Sequence, residues 1–404
     1  MIELLAPAGN LQKLKTAVHF GADAVYFGGP YSLRAAADGF SGEALFTAMK
    51  ELHARGKKGY LTLNVFAREE DFPGMERLIR TAAEAGVDAV ILSDPGVLSL
   101  VKSLAPEMEI HLSTQANTCN SAAADFWAKQ GVRRIVLARE LSLKEISAIR
   151  KKLPREVELE CFVHGAMCIS YSGRCLLSDY FTGRRANHGE CAQPCRWEYE
   201  LRERSRGWEE GLSVCEDARG TYLLNSRDLN MLAHLSELID AGADSFKLEG
   251  RMKSEYYVGT VVNAYRRALD DALAGRPFQD VWAEELEKAG HRAYTTGFYF
   301  GKEPDTQYYP SSRPVQTHSF AALVLEYDPA QGRALVEQRN RFAAGDTLEI
   351  VSPGEAHGRT LTVRGMTAED GSPLEDAKLV QQRLWIDCAE RLLPFDMLRR
   401  RDGQ

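Results

Sequence analysis

Short apolar segments alternate with amphipathic segments along the first 290 residues of the chain. Four phrases recur there, each with a glycine suited to ending a helix, a polar residue and then a short apolar strand: Gly21-Ala22-Asp23-Ala24-Val25, Gly86-Val87-Asp88-Ala89-Val90, Gly131-Val132-Arg133-Arg134-Ile135 and Gly242-Ala243-Asp244-Ser245-Phe246. Amphipathic runs lie between them, for example at 75–85 and 122–130. This alternation is typical of repeated β/α units around a parallel sheet.

Further strands are predicted around these phrases, at 3–6, 61–64, 109–112, 157–163 and 222–224. The total is nine candidates, one more than a simple eight-stranded barrel needs. We expect an α/β fold in the form of a distorted TIM-like barrel, with a cysteine-rich segment inserted late in the barrel. A doubly wound open sheet is the alternative.

The period of the pattern changes near residue 317. Beyond it, short strands separated by Gly, Pro and Asp turns are predicted at 321–327, 333–339, 346–351, 359–366 and 379–386. These strands indicate a small C-terminal antiparallel β-barrel. We therefore divide the chain into a TIM-like catalytic domain (1–290), a connection (291–316) and a β-rich domain (317–404), whose final Arg399-Arg400-Arg401 is interpreted as a solubilising tail.

Composition narrows the function classes without selecting one. Of the 404 residues, 44% are hydrophobic and 26% are charged, as in an ordinary soluble globular protein. The net charge of −7 gives no global signature for nucleic acid, so any RNA site must be a local basic patch. The N-terminus lacks a basic segment before an apolar run, and no stretch approaches membrane-spanning length, so we expect a cytoplasmic protein without a membrane partner.

Four of the eight cysteines fall in one glycine-containing segment at 160–196, with the spacing C-x6-C-x15-C-x3-C: Cys168, Cys175, Cys191 and Cys195. Thiolates bind soft metals and iron–sulfur clusters, so the segment predicts a metal centre. The absence of the C-x2-C spacing usual in zinc knuckles favours an iron–sulfur cluster over structural zinc. Unrelated free thiols are a further alternative, whereas disulfides are disfavoured in a reducing cytosol.

Polar residues follow several predicted strands, at the end where barrel enzymes place their chemistry. We assign catalytic roles to His164, Glu249 and Arg251, and substrate binding to Arg139, Asn225 and Arg227. The planar fork of arginine binds carboxylates, so Arg139, Arg227 and Arg251 together suit a dicarboxylate. The alternatives are that each arginine pairs with the neighbouring acid Glu140, Asp228 or Glu249, and that His164 orients the cysteine segment.

Three stretches are candidate RNA contacts, because arginines neutralise phosphates and aromatic rings stack on single-stranded bases. They are 184–188, the aromatic and basic connection at 291–299, and the hairpin-like stretch at 338–342 with Arg339 and Arg341. A solvated loop is the commoner explanation of such stretches. For the C-terminal domain, covering the barrel or self-association into a homo-oligomer are the competing roles.

The cysteine segment also carries a family resemblance. The motifs that carry it are Leu5-Ala6-Pro7-Ala8-Gly9, His164-Gly165-Ala166-Met167-Cys168, Gly173-Arg174-Cys175-Leu176-Leu177-Ser178, Gly189-Glu190-Cys191, Cys195-Arg196-Trp197-Glu198-Tyr199, Asn225-Ser226-Arg227-Asp228-Leu229 and Lys247-Leu248-Glu249-Gly250-Arg251. They span most of the chain and resemble the collagenase-like peptidase family U32. The resemblance is strongest to the branch that hydroxylates the wobble uridine of tRNA to 5-hydroxyuridine. It implies dependence on prephenate and a 4Fe-4S cluster, independence of molecular oxygen, and a β-rich C-terminal domain.

Three functions compete on the sequence alone. A peptidase, as the family's older label implies, would need a recognisable nucleophile or metal motif, and the sequence contains neither G-x-S-x-G nor H-E-x-x-H. A non-catalytic, metal-stapled RNA-binding protein would not need arginines and a histidine that converge on a barrel mouth. An RNA-modifying enzyme accounts for the cysteines, the polar strand ends and the appended β domain together, and the family resemblance implies tRNA as its substrate.

Overall fold

The computed structural model describes residues 2–33, 39–167, 177–182, 184, 192–194, 215–217, 220–222, 226–301 and 315–402. The elements of the first 301 residues are β1 (Glu3–Ala8), α1 (Leu11–His19), β2 (Ala24–Gly28), α2 (Glu43–His53), β3 (Lys58–Leu63), α3 (Phe72–Glu84), β4 (Ala89–Leu92), α4 (Pro95–Leu104), β5 (Glu109–Leu112), α5 (Ser121–Lys129), β6 (Arg134–Val136), α6 (Leu143–Arg150), β7 (Glu158–Ala166), α7 (Leu177–Thr182), β8 (Cys215–Asp217), β9 (Gly220–Tyr222), β10 (Asp228–Asn230), α8 (Leu235–Ala241), β11 (Ser245–Leu248), α9 (Glu255–Leu273), α10 (Asp280–Leu286) and β12 (Tyr294–Thr295). None of the helices in these ranges is both long and apolar enough to cross a membrane.

Eight parallel strands close into a barrel. Strands β1 to β7 pair in sequence order, and β11 completes the ring because it pairs in parallel with both β1 and β7. The predicted TIM-like barrel is confirmed. Of the ninth candidate strand (222–224) the structure describes Tyr222, which lies outside this ring because it ends β9 in a separate two-stranded sheet with β8.

Local sequence signals start the helices that surround the barrel. Asp94 caps α4 by accepting hydrogen bonds from the backbone N–H groups of Gly96 and Val97, with Pro95 at the first helical position. Ser142 and Glu145 form a reciprocal capping box at the start of α6. The apolar faces of these helices pack on the outward-facing side chains of the strands and make one continuous core.

The barrel interior contains a buried ion-pair layer near the amino ends of the strands. Lys247 Nζ lies 2.7 Å from Glu160 Oε1, and Arg134 Nη1 lies 3.2 Å from Glu160 Oε2 and also contacts Glu3. Burial raises the pKa of the Glu160 carboxyl, but the charges of Lys247 and Arg134 outweigh it and hold that pKa below its ordinary value. A small group of buried side chains that includes Leu5, Tyr60 and Ile91 packs beside this network.

The C-terminal region forms an antiparallel β domain, as predicted. Its strands are β13 (His318–Asp328), β14 (Arg333–Gln338), β15 (Phe342–Ala343), β16 (Thr347–Val351), β17 (Thr360–Thr362), β18 (Met366–Ala368), β19 (Asp376–Ala377), β20 (Arg383–Asp387) and β21 (Met397–Arg401). Seven of them make one sheet in the order β17-β16-β21-β13-β14-β20-β18, and β15 pairs with β19.

The interpretation of 399–401 as a solubilising tail is wrong, because these residues end strand β21 between β13 and β16. Arg399 is fully buried and donates to Glu285 of α10 at 2.5 and 2.7 Å and to Glu349 at 2.6 Å. A charge buried this deeply needs such partners. The arginine therefore joins the β domain to the barrel.

Candidate active site at the barrel mouth

The structure brings Arg139 and Glu249 together at the carboxyl end of the barrel. Arg139 lies three residues beyond β6, and its Nη1 donates to the backbone oxygen of Ala166 at 2.9 Å. Its guanidinium carbon lies 4.1 Å from the centroid of the Phe162 ring, and its Nη2 lies 4.0 Å from Glu249 Oε2. An aromatic face and a carbonyl therefore fix the guanidinium, while the distance to Glu249 exceeds that of a normal hydrogen bond.

Arg251 is buried, and its fork faces neutral oxygen atoms. Its Nη1 donates to Ser32 Oγ at 3.0 Å and to Thr62 Oγ1 at 3.2 Å, and its Nη2 donates to the backbone oxygen of Leu33. A Cβ atom at position 28 would lie 2.0 Å from Nη1, so this approach requires Gly28. These contacts brace the chain that follows β2, and the catalytic role of Arg251 stays a prediction.

His164 lies in a cage of tyrosines. The register between β7 and β11 shifts between Lys247 and Leu248, so that Lys247 pairs with Phe162 but Leu248 pairs with His164. The imidazole centroid lies 5.3, 5.6 and 6.0 Å from the ring centroids of three tyrosines: Tyr265, Tyr294 and Tyr257. Burial lowers the pKa of His164 to about 3, so the ring is neutral near pH 7.

These surroundings suit an indirect role for His164. Its Nδ1 lies 3.3 Å from the Tyr265 hydroxyl, and its Nε2 has no hydrogen-bond partner in the described part of the chain. Tyr257 and Tyr265 belong to α9, which packs on the outside of the barrel. Of the two roles considered for His164, orientation of the following segment agrees with these contacts, and the direct role stays a prediction.

A cluster of uncharged polar residues lies at the carboxyl ends of the two strands that precede β6 in the barrel. We call it the neutral polar cluster and define it as Ser93, Ser113, Gln115, Asn117 and Thr118, which follow strands β4 and β5. The sequence pattern assigns no role to these residues. The signal that could have found them is the run Ser113-Thr114-Gln115-Ala116-Asn117-Thr118, because uncharged polar side chains directly after a buried strand need hydrogen-bond partners.

The predicted metal ligands Cys168, Cys175, Cys191 and Cys195 lie outside the described residues, as does Asn225, and their roles stay predictions. Among the residues that the structure describes, no three His, Cys, Asp or Glu side chains are grouped to hold a metal ion. Cys161 is buried, and burial raises the pKa of its thiol to about 12, which disfavours the thiolate that metal binding requires. Arg227 is partly buried beside β10.

The candidate RNA contacts lie in contrasting environments. Arg339 Nη1 lies 2.9 Å from Glu255 of α9, and its Nη2 lies 2.8 Å from Glu337. Arg341 is 71% exposed, with its Nη2 2.8 Å from Asp376. In the connection at 291–299, the rings of His291 and Tyr299 are buried, which makes them unavailable for stacking on bases.

An eight-stranded β/α barrel with an arginine–glutamate pair and a neutral polar cluster at its mouth, followed by an antiparallel β domain, defines an enzyme-like two-domain architecture. The chain belongs to peptidase family U32. The family model described as "Peptidase family U32" matches residues 9–308 of the sequence. A second family model, described as "Peptidase family U32 C-terminal domain", matches residues 316–399.

Relatives that match most of this chain carry different names. "tRNA hydroxylation protein P1" of Bacillus subtilis (strain 168) is 39% identical over 403 residues, which cover 98% of this chain and 94% of the relative. "Collagenase" of Porphyromonas gingivalis is 31% identical and covers 99% of this chain and 98% of the relative. "23S rRNA 5-hydroxycytidine C2501 synthase" of Escherichia coli (strain K12) is 36% identical over 75% of this chain and 46% of the relative.

Proposed function

We propose that the protein is an RNA-hydroxylating enzyme, and that its substrate is the wobble uridine of tRNA. In this proposal it replaces the C5 hydrogen by a hydroxyl group that comes from the cosubstrate prephenate and not from molecular oxygen, which gives 5-hydroxyuridine. The likeness to a protein named for tRNA hydroxylation, over 98% of this chain, supports this proposal. A second relative, named for hydroxycytidine synthesis in ribosomal RNA, supports the broader class of RNA hydroxylation.

The observation that carries the proposal is the pairing of two chemistries at one barrel mouth. Arg139 offers a guanidinium held by Phe162 and the Ala166 carbonyl, and its Nε is buried without a hydrogen-bond partner in the described part of the chain. Such a group suits a carboxylate, as in prephenate. The neutral polar cluster on the neighbouring strands suits an uncharged base.

Within this proposal the three arginines at the mouth differ in their roles. Arg139 is the best placed to bind a cosubstrate carboxylate, and Arg227 would assist from beside β10. Arg251 already donates to Ser32, Thr62 and Leu33, so its contribution is to hold the mouth in shape. Glu249, 4.0 Å from Arg139, is close enough to orient the guanidinium or to exchange a proton with the substrate.

The four cysteines are proposed to bind a 4Fe-4S cluster, because four thiolates are the donor set that such clusters require. The first of them, Cys168, follows the last residue of β7 by two positions in the sequence. When bound, the cluster would supply electron transfer or a Lewis-acidic iron. The residues around it would bind the cosubstrate and the base.

Iron analysis of anaerobically purified protein tests the cluster. We expect about four irons per chain in the wild type and a marked loss of iron and of charge-transfer absorption in each of the four Cys→Ala variants. Cys388→Ala is the matched control, because Cys388 is buried in the C-terminal domain. Stoichiometric zinc without iron after anaerobic reconstitution would contradict the cluster.

Nucleoside mass spectrometry tests the reaction itself. A strain that lacks the protein should lose 5-hydroxyuridine from its tRNA, and the wild-type gene should restore it. Arg139→Lys should restore little, because lysine keeps the charge but loses the fork that binds a carboxylate. Arg133→Lys is the control, since Arg133 is exposed before the amino end of β6. Unchanged 5-hydroxyuridine in the deletion strain would contradict the proposal, and gelatin cleavage by the purified protein would favour peptidase activity.

A further inference from the structure

We infer that Gln115 and Asn117, supported by Ser93 and Ser113, form the subsite that reads the C4 carbonyl and N3–H edge of a uracil base turned into the barrel mouth. This inference rests on the proposed function, because that function supplies uridine as the substrate. It adds the specificity-determining residues and the edge of the base that they contact.

The strand pattern directs this cluster into the mouth. Ala89 and Ile91 of β4 face the barrel interior, where they pack with Tyr26 and Tyr60. Side chains alternate along a strand, so Ser93 continues the inward-facing line of β4. Ser113 continues the line of His111 in β5 in the same way, and its backbone N–H donates to Leu92 of β4 at 2.7 Å.

Hydrogen bonds fix which polar atoms remain available. Ser113 Oγ donates to Gln115 Oε1 at 3.2 Å, while the amide donor Nε2 of Gln115 has no hydrogen-bond partner among the described residues. Asn117 Nδ2 donates to the backbone oxygen of Gln115 at 3.1 Å, while its acceptor Oδ1 likewise has no partner in that part of the chain. Gln115 is 3% exposed, so its amide lies in a site that is largely shielded from solvent.

These free atoms are concentrated in one place. In the part of the chain that the structure describes, six buried side-chain atoms of Ser, Thr, Asn and Gln lack a hydrogen-bond partner. Four of the six belong to the neutral polar cluster: Ser93 Oγ, Gln115 Nε2, Asn117 Oδ1 and Thr118 Oγ1. Leaving buried polar groups unpaired is costly, so a group of them in one mouth indicates a polar occupant.

The chemistry of the free atoms matches a neutral base edge. Uracil presents an acceptor at O4 beside a donor at N3–H, and Gln115 Nε2 with Asn117 Oδ1 presents a donor and an acceptor. The cluster carries no charge, so it has no electrostatic preference for a carboxylate, which the arginine side of the mouth would hold. Enzymes that act on a base take it out of the stack and read its Watson–Crick edge in such pockets.

Complementation of the deletion strain tests the subsite in cells. Gln115→Glu replaces the donor by an acceptor at equal size, so the base carbonyl would face a carboxylate oxygen. We expect 5-hydroxyuridine to fall at least about tenfold below the wild-type level. Gln130→Glu makes the same change at the end of α5 and should restore the nucleoside fully.

Binding measurements separate base reading from a structural defect. The full-length, anaerobically purified protein is titrated with three anticodon stem-loop RNAs that carry uridine, 3-methyluridine or an abasic site at the target position. Wild type and Gln130→Glu should bind the uridine RNA about 5- to 50-fold more tightly than the other two. Gln115→Glu should bind all three alike, at the affinity that the wild type has for the abasic RNA.

The outcomes distinguish this inference from the proposed function. If the deletion strain loses 5-hydroxyuridine but Gln115→Glu restores it and keeps the uridine preference, the proposed function stands and the subsite is wrong. If Gln115→Glu lowers the affinity for all three RNAs by the same factor, so that the preference for uridine remains, Gln115 is only structural and the subsite is again wrong. If the deletion strain keeps its 5-hydroxyuridine, both fail together.

Discussion

Glu160 and His164 lie four residues apart in β7, and burial affects them in opposite ways. Both side chains are at most 1% exposed. Glu160 has Lys247 and Arg134 as partners, which hold the pKa of its carboxyl below the ordinary value despite burial. Among the described residues the rings packed around His164 are those of tyrosines, and burial, followed by the charges of Lys253 and His291, lowers the pKa of its imidazole. The same strand therefore contains one stable charge and one residue that resists charging.

The depressed pKa of His164 predicts a pH dependence of stability. An unfolded histidine binds a proton below its ordinary pKa of about 6.5, while the folded His164 does so only near its pKa of about 3. Between these values the unfolded state takes up the extra proton, so stability falls as pH falls. His164→Gln removes this titration. Between pH 7 and pH 5 the unfolding free energy of this variant should therefore fall by about 2 kcal/mol less than that of the wild type.

Urea unfolding at pH 7 and pH 5 measures this difference, because the other titrating groups are the same in both proteins. The relevant quantity is the change in unfolding free energy between the two pH values, not its absolute size in either variant. If the unfolding free energy of wild type and of His164→Gln falls by the same amount on acidification, His164 is protonated in the folded protein at pH 5 and the tyrosines do not keep it neutral.

At the scale of elements, the alternation of apolar and amphipathic segments was sufficient to predict the barrel. It was insufficient to predict which way His164 points. Simple alternation from Phe162 places His164 inside the barrel, but the shift between Lys247 and Leu248 gives it the orientation of Leu248 instead. That shift depends on pairing between strands about 80 residues apart. No local pattern in β7 encodes it.

The C-terminal arginines illustrate the same limit. The triplet at 399–401 has the composition of an exposed tail, yet Arg399 is buried because Glu285 and Glu349 lie opposite it in the fold. Arg339 likewise finds Glu255, a residue 84 positions earlier in the chain. The sequence shows that an arginine can form an ion pair. It does not show which acid the arginine pairs with, because that acid lies in a distant element of the chain.

Gly165 holds the irregular end of β7 against β11 and should tolerate no side chain. Its φ of +105° lies outside the range that L residues favour, and a Cβ would lie 2.6 Å from the backbone oxygen of Glu249. Gly275→Ala is the control, since Gly275 also has a positive φ, +66°, but nothing within 4 Å. We expect a loss of about 1 kcal/mol for the control.

Gly165→Ala should lose about 2–4 kcal/mol, because the backbone penalty is joined by displacement of Glu249. Urea denaturation of both variants measures the two losses, and tRNA nucleoside analysis of complemented strains should show reduced 5-hydroxyuridine for Gly165→Ala alone. If the two variants lose the same unfolding free energy, the contact between the added Cβ and Glu249 of the chain after β11 costs nothing, and the expectation is wrong.

At the scale of the whole molecule, helix α9 joins the two domains. Its first residue, Glu255, pairs with Arg339 of the β domain, and its tyrosines enclose His164. Arg399 and Glu285 make a second connection through α10. The β domain is therefore fixed to the barrel by partly and fully buried ion pairs, and a rigid attachment can present an RNA surface at a set distance from the mouth.

Separate charge reversals at Arg339 and Arg341 distinguish domain attachment from RNA binding. Arg339→Glu would place an acid beside Glu255 and Glu337, and should lower the unfolding free energy by about 1–3 kcal/mol. Arg341→Glu, at a 71% exposed position, should leave stability within about 0.5 kcal/mol of wild type. It should instead weaken binding of the anticodon stem-loop RNA and reduce the slope of log affinity against log salt concentration by at least about 1.

Arg80→Glu on α3 provides a matched change of charge at an exposed arginine, and it should alter neither stability nor RNA affinity. Fluorescence anisotropy over a series of salt concentrations gives the affinities and slopes. If Arg341→Glu binds with the affinity and salt slope of Arg80→Glu, this hairpin does not contact RNA, and its role is confined to covering the barrel or to self-association.

The position of β11 between β1 and β7 has a consequence for folding during synthesis of the chain. Glu3 pairs with Ser245, so the ring cannot close until the ribosome has made nearly 250 residues. At about 5–20 residues per second, β1 waits roughly 10–50 s for its partner. During that interval the edges of β1 and β7 that β11 will cover are unpaired and open to strands of neighbouring nascent chains. The growing chain would therefore depend on chaperones most strongly just before β11 emerges.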